Sequence, residues 1–307
     1  MITIPPVLSR NATIAWGADG ERWLAALPRL LDDLARDWQL RLGPPYELSF
    51  NWVTAAWTAD GTPAVLKLGP PEPGHLAVEA SALAAYDGQG AVRLLARDDE
   101  RGALLLERAE PGTMARTRVP DLDVIATAAL ISVMHQLHQA PVPATGVPDL
   151  EADRRLDFEG YLRAYPGEGP LPRAMVSRAL GLLTELTASA PRLVVLHGDL
   201  HHDNVLRAQR EPWLAIDPHG VIGDPGAEVW PMLSNPDPDN RDPALLRLVP
   251  SRVEQLADGL GIPPERVLAW GFVGNVLSEV WNVEGTGEAC SRALDVALLL
   301  EPLVRSL

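Results

Sequence analysis

The chain has 307 residues, 47% of them hydrophobic, which is enough for a substantial core and excludes a disordered protein. Its formal charge of −15 argues against nucleic acid, whose phosphates need a basic surface, and suits either a cationic partner or a well-solvated acidic face. The lone Cys290 cannot close an internal disulfide.

Met1 to Pro6 lack a basic stretch followed by an apolar one, so no secretory leader is read there. No apolar run approaches the roughly 20 residues of a membrane span, and a cytoplasmic protein with no membrane partner is expected. Residues 19–40 carry Leu24, Leu27, Leu30, Leu31, Leu34 and Trp38 at helical spacing, with a kink expected at Pro28 and an end at Gly43-Pro44-Pro45. Residues 1–45 thus read as a helical leader without a usable motif.

The period then changes to that of strands, over 46–50, 53–58 and 63–68, with Asp60-Gly61 as a hairpin signal. Lys67 is the one charge in the apolar run Ala64 to Leu68. Alone, such a lysine also suits an edge strand facing solvent. A helix over 76–86 puts Glu79 on its apolar face, where a carboxylate needs a partner, and Lys67 is the candidate. Strands at 92–95 and 103–107 follow. Beyond residues 107–112 the pattern is helical, over 121–139, 153–165, 173–189, 249–260, 264–282 and 289–306. This shift divides the chain into an N-terminal lobe (1–107), a hinge (108–112) and a helical C-terminal lobe (113–307).

The densest chemistry lies in His197-Gly198-Asp199-Leu200-His201-His202-Asp203-Asn204, followed by a hairpin ending in Asp217. Asp199 and Asn204 have the D-x-x-x-x-N spacing of a kinase catalytic loop. A base, an amide and a carboxylate so spaced can orient an attacking hydroxyl and hold Mg²⁺, which takes hard oxygen ligands. The histidines also permit a metallohydrolase, but that leaves Lys67 and Asn204 without work. His135 and His138 lack a nearby third ligand and read as packing or solvated residues. The turn at Ser49 to Val53, in position to cover phosphates, contains no glycine and is neither a P-loop nor a G-x-G-x-x-G fingerprint. That departure leaves room for a kinase-like protein that binds a nucleotide without catalysis.

Together with Asp60 to Lys67, Gly90 to Leu95, Leu105-Leu106-Glu107, Ala215-Ile216-Asp217-Pro218 and Trp281-Asn282, the 197–204 motif resembles the aminoglycoside phosphotransferases. More narrowly it is similar to the aminoglycoside/hydroxyurea kinase group, over about residues 46–290. The resemblance implies an α+β, bilobal protein-kinase-like fold, with an antiparallel N-lobe sheet carrying one main helix and a mostly helical C-lobe. It implies ATP and Mg²⁺, with Asp199 as the base, Asn204 and Asp217 as metal ligands, and Lys67 with Glu79 on the phosphates. Backbone atoms of Glu107 and Ala109 would meet adenine, and Ser49 and Asn51 would lie in the phosphate-covering turn.

The implied activity is O-phosphorylation of a small molecule, foremost a streptomycin-like aminoglycoside in antibiotic inactivation, with hydroxyurea, a sugar or choline as alternatives. A cationic acceptor asks for carboxylates and aromatic faces. Candidates are Asp237, Asp239 and Asp242, Glu279 and Glu284, Trp230, Trp281 and Asn282, with His202 from the loop. A monomer or a homodimer is expected.

Overall fold

A computed structural model describes residues 3–71 and 75–305. The chain begins with α1 (Pro6–Asp37), β1 (Arg41–Pro45), β2 (Trp52–Trp57), β3 (Pro63–Leu68), α2 (His75–Tyr86), β4 (Leu94–Asp98) and β5 (Ala103–Glu107). The strands form a 5-stranded antiparallel sheet in the order β1-β2-β3-β5-β4. β3 is therefore interior, and Lys67 pairs in register with Val53 and Leu104 rather than lying on an edge.

Alternation along the strands divides two cores. Leu66, Leu68 and Leu105 join Leu24, Leu27, Leu31 and Leu34 of α1 on one face. Leu104 and Leu106 join Leu76, Ala80 and Leu83 of α2 on the other. Lys67, one step from Leu66 and Leu68, points to the α2 face, where Glu79 waits.

Three expectations for the N-terminal region are corrected. The helix runs through Pro28 and breaks at Gly17 instead, where φ is 53° and ψ −129°. Leu24, Leu27 and Leu31 are buried on both sides of the proline, and that packing outweighs the hydrogen bond the proline cannot donate. The leader is not all helix, since 41–45 is a strand, and its residues 1–2 lie outside the described residues. The strand expected at 46–50 is a loop. Pro44 and Pro45 fit the preceding strand because β1 is an edge strand that needs fewer amide donors.

The remainder holds α3 (Asp123–Leu137), α4 (Leu150–Ala164), α5 (Arg173–Ala188), β6 (Val194–Leu196), β7 (Val205–Arg207), β8 (Trp213–Ala215), β9 (Val221–Gly223), α6 (Pro231–Ser234), α7 (Pro243–Leu246), α8 (Val249–Leu260), α9 (Pro264–Thr286) and α10 (Arg292–Arg305). The helix expected over 289–306 starts later, and its residue 306 lies outside the described residues. β6 pairs with β9, and β7 with β8. Nested hairpins thus bring 197–204 and 216–220 side by side. Among the described residues no helix is long and apolar enough to cross a membrane. The fold is α+β, an antiparallel N-terminal sheet followed by a helical part.

Where the chain leaves β5, the Glu107 carboxylate is clamped by Arg210 from the β7–β8 turn, at 2.9 Å to Oε1 and 2.8 Å to Oε2. Arg210 also donates to the carbonyls of Gly88 (2.7 Å) and Ala91 (2.9 Å). This bidentate pair fixes the passage between the sheet and the β6–β9 and β7–β8 hairpins.

Candidate active site

Lys67 is buried and donates to Glu79 Oε2 at 2.6 Å and to Asp217 Oδ1. The strand supplies the lysine, α2 the glutamate and the end of the β7–β8 hairpin the aspartate. Burial disfavours the charged lysine, but the two carboxylates outweigh it and raise its pKa. Burial pushes Glu79 up to about 7, against the pull of Lys67. Asp217 is held down to about 2, because Lys67, with His219 and His197, outweighs the cost of burial. Its backbone is in the left-handed region, φ 61°, which turns the carboxylate back toward Lys67.

The catalytic-type loop hangs from one residue that sequence reasoning did not single out. Glu228 is fully buried and accepts the backbone N–H groups of His197 (2.7 Å) and Gly198 (3.0 Å). His138, read as packing, lies with its Nε2 3.5 Å from Glu228 Oε2. Burial would raise Glu228, yet His138, His197 and the Gly198 amide hold it below the usual range.

His197 is buried and its pKa is lowered, chiefly by desolvation. Its Nε2 donates to the Ile216 carbonyl at 2.8 Å, while Nδ1 accepts from the Asp199 amide at 3.3 Å. A neutral ring with its hydrogen on Nε2 meets both demands, and it ties the loop to the residue before Asp217.

Asp199 is partly exposed. Burial opposes its ionisation, but His201, then His219 and His197, hold its pKa down. His201 stands between two acids, 3.5 Å from Asp199 Oδ2 and 3.5 Å from Asp203 Oδ2. These acids override desolvation and push His201 up to about 9. Asn204 Nδ2 donates to the Asp199 carbonyl at 3.0 Å and lies 3.2 Å from His201 Nε2, while its Oδ1 makes no hydrogen bond among the described residues. The Ile216 amide donates to the Asn204 carbonyl at 2.9 Å, so Asn204 lies beside the chain segment that carries the exposed Asp217, and both side chains offer hard oxygens of the kind Mg²⁺ takes. Among the described residues no group of three or more His, Cys, Asp or Glu is placed to hold a metal ion, so the ligand set of a zinc hydrolase is not assembled.

Ser49 is exposed in the 46–51 turn, and its carbonyl accepts from Asn11 Nδ2 at 3.1 Å. Asn51, in the same turn, is partly buried. Beside the Arg210 clamp, the Glu107 amide donates to the Arg93 carbonyl at 2.9 Å. Ala109 makes no hydrogen bond among the described residues.

Several acceptor candidates lie elsewhere than expected. His202 is 0% exposed, packed beneath the loop, so it cannot line an open site. Glu279 is also 0% exposed; its carboxylate accepts from the Ser291 amide (3.1 Å), the Ser291 hydroxyl and Asn282 Nδ2 (3.1 Å), and closes the α9–α10 corner. Asn282 spends its amide there too, donating also to the Glu288 carbonyl. Trp230 is buried, 5.9 Å from the Trp281 ring. Asp237 pairs with Arg116, which also reaches Asp203 at 3.1 Å, and Asp239 is exposed. Asp242 caps α7 through the Ala244 amide at 2.8 Å.

Trp281 is linked to the loop through Arg154. The Arg154 guanidinium lies 5.0 Å over its ring, and Arg154 Nη2 comes within 3.7 Å of the place a Gly198 Cβ would take. The Trp281 indole donates to Asp157 Oδ2 at 2.9 Å. Burial and nearby Asp153 raise the Asp157 pKa despite Trp281 and Arg154, and Glu284 is raised by burial and by Asp157. Nothing in the local sequence singles out Asp157, because only its contact across the fold marks it.

Residues 48–286 match the model of the aminoglycoside/hydroxyurea antibiotic resistance kinases. The chain is 32% identical over 303 residues to a streptomycin 6-kinase of Streptomyces glaucescens, covering 97% of this chain and 95% of that one. It is 34% identical over 306 residues to a hydroxyurea phosphotransferase of Kitasatospora aureofaciens, covering 97% and 85%. Among solved structures, a thermostable aminoglycoside phosphotransferase in ternary complex with ADP and hygromycin B shares its fold, with a TM-score of 0.60 at 14% identity over 90% of this chain and 97% of that one. The chain belongs to the aminoglycoside/hydroxyurea antibiotic resistance kinase family, a family of small-molecule phosphotransferases.

Proposed function

We propose that the protein transfers the γ-phosphoryl group of ATP to a hydroxyl of a cationic, streptomycin-like aminoglycoside. The observation that carries this reading is the meeting of buried Lys67 and Glu79 with Asp217, beside a loop that holds Asp199 and Asn204. Lys67, oriented by Glu79, neutralises phosphate charge. Asp199, kept ionised by its histidines, accepts or orients the proton of the attacking hydroxyl. Asn204 and Asp217 would hold Mg²⁺, which supplies charge neutralisation to the transferring group when bound. Free backbone atoms of Ala109, with Glu107, receive adenine, and the 46–51 turn with Ser49 and Asn51 covers the phosphates. Residues 1–107 then form the nucleotide lobe, 108–112 the hinge and 113–307 the acceptor lobe, and the need for ATP places the enzyme in the cytoplasm.

The acceptor site lies along α4 and the end of α9. Asp157 repels the charge of Glu284 and is itself repelled by Asp153, so a guanidinium or ammonium group that adds to the positive charge of Arg154 over Trp281 relieves them. One such pair at about 4 Å gains roughly 4 kcal/mol at an effective dielectric of about 20, before desolvation. Hydroxyurea is the second reading, favoured by the Kitasatospora relative. It is small and neutral and would not use these carboxylates.

A coupled ADP-release screen over streptomycin, other aminoglycosides, hydroxyurea, sugars and choline tests the assignment. Streptomycin-dependent turnover that disappears in Asp199→Ala, with ADP binding retained, is the expected result. Turnover surviving that substitution would remove Asp199 as the base.

A further inference from the structure

The turn at 48–52 lacks the glycines by which a mobile loop folds over phosphates, yet it is held in place. Leu48 and Trp52 at its two ends are buried at 5% and 3% exposure. Between them the chain is braced from outside. Asn11 Nδ2 donates to the Ser49 carbonyl at 3.1 Å, and Phe50 meets Trp16 edge to face, ring centroids 6.3 Å apart. Trp16 is in turn held edge to face by Trp23, also at 6.3 Å.

Both bracing residues come from the first part of α1, and its placement is built in. Gly17 has a φ of 53°, which an L side chain rarely adopts, and it lets the chain turn sharply. A Cβ at Gly20 would lie 2.2 Å from the Ala12 carbonyl oxygen, a contact between residues that a straight helix would hold roughly 12 Å apart. Residues 6–16 therefore fold back on the helix that follows. Leu8 and Ala12, both 0% exposed, seat them in the same core as Leu48, Trp52 and Leu66.

We infer that residues 6–16 are a nucleotide-positioning element, in which Asn11 and Trp16 hold the 48–52 turn where it covers the phosphates. The inference rests on the proposed reading that this turn faces the nucleotide. It gives the N-terminal segment a task and explains how a glycine-free turn serves. Rigidity supplied from behind replaces closure by a flexible loop, and the ordering cost is met during folding rather than on binding.

The test compares Asn11→Asp, an isostere that cannot donate, with Trp16→Ala, the conservative Trp16→Phe, and Asn51→Ala in the turn itself. KM for ATP, KM for the acceptor, kcat and the Kd for Mg·ADP are measured for each. Losing one hydrogen bond or one ring pair is expected to raise KM for ATP and Kd for Mg·ADP about three- to tenfold. The acceptor KM stays within about twofold, and Trp16→Phe returns the nucleotide constants to within about twofold of the parent. Gly20→Ala, which pushes Ala12 away, gives the same split. If Asn51→Ala weakens the nucleotide but Asn11→Asp and Trp16→Ala do not, the inference is overturned while the reading of the turn stands. If none of the three moves the nucleotide constants, the turn does not cover the phosphates. Equal changes in both KM values would mark the segment as merely structural and overturn the inference.

Discussion

Glu228→Gln asks how much of the catalytic geometry depends on one buried carboxylate. In the parent, each oxygen of Glu228 accepts one backbone N–H, from His197 at 2.7 Å and Gly198 at 3.0 Å. Charge-assisted bonds of this kind contribute about 1.5–3 kcal/mol each. Glutamine keeps the shape and one acceptor oxygen, so no cavity forms. Its NH₂ must then face an amide that also donates, leaving one buried N–H without a partner. The loss of charge weakens the bond that remains. The two effects sum to about 2–4 kcal/mol in unfolding free energy. Because the two amides immediately precede Asp199, the loop relaxes where the base must be placed, and kcat falls at least about tenfold for a shift costing 1.4 kcal/mol. The lysine–carboxylate cluster lies on other elements, but Asn204 shares the loop and His197 ties it to Ile216, so Mg·ADP affinity falls, though less than kcat. Urea unfolding followed by tryptophan fluorescence, single-substrate kcat and ADP calorimetry measure the three quantities. A variant with the parent's urea midpoint and kcat would refute the suspension of the loop from Glu228.

Other outcomes follow from the same geometry. Arg210 and the Arg93 amide hold the Glu107 pKa below its ordinary 4.5 against the effect of burial. The clamp's stabilisation is complete above pH 4.5 and is lost as the pH falls below it. Urea midpoints should therefore drop more steeply between about pH 4.5 and pH 3 for the parent than for Glu107→Gln. Glu279→Gln should lower thermal stability by about 1–3 kcal/mol through Ser291 while leaving the acceptor KM unchanged, since the carboxylate never reaches the cleft. Asp157→Asn should raise KM for a guanidinium-bearing acceptor at least about fivefold and leave KM for ATP alone. Gly274→Ala places a Cβ 1.9 Å from Trp230 Cγ, which must shift, and should cost about 1–3 kcal/mol in a melting experiment.

What could be read from the sequence was whatever local spacing fixes. The separation of Asp199 from Asn204 is set within one loop, and Asp217 ends the next hairpin. The pairing of Lys67 with Glu79 was also legible, because strand alternation sends Lys67 to one face and helix period puts Glu79 on the face that covers it. The residues that escaped are those whose meaning depends on a partner far along the chain. Glu228 meets His197 at a separation of 31 residues, Arg116 meets Asp237 at 121, and Trp281 meets Asp157 at 124. No periodicity encodes such pairs. The same cause misplaced Glu279, which sits near a helix end as a surface acid would but is covered by Ser291 after the chain turns back.

The kink in α1 shows the converse. Proline is the stronger breaker in isolation, costing about 3 kcal/mol in a helix interior, against about 1 for glycine. Burial of Leu24, Leu27 and Leu31 carries the helix across Pro28, while Ala12 can approach Gly20 only if the chain turns at Gly17. Helix propensity pointed to Pro28 alone, and packing set the break at Gly17 instead. That choice also brings Asn11 and Trp16 over the 48–52 turn, so the strength of a local signal is a poor guide to which residue shapes the fold around it.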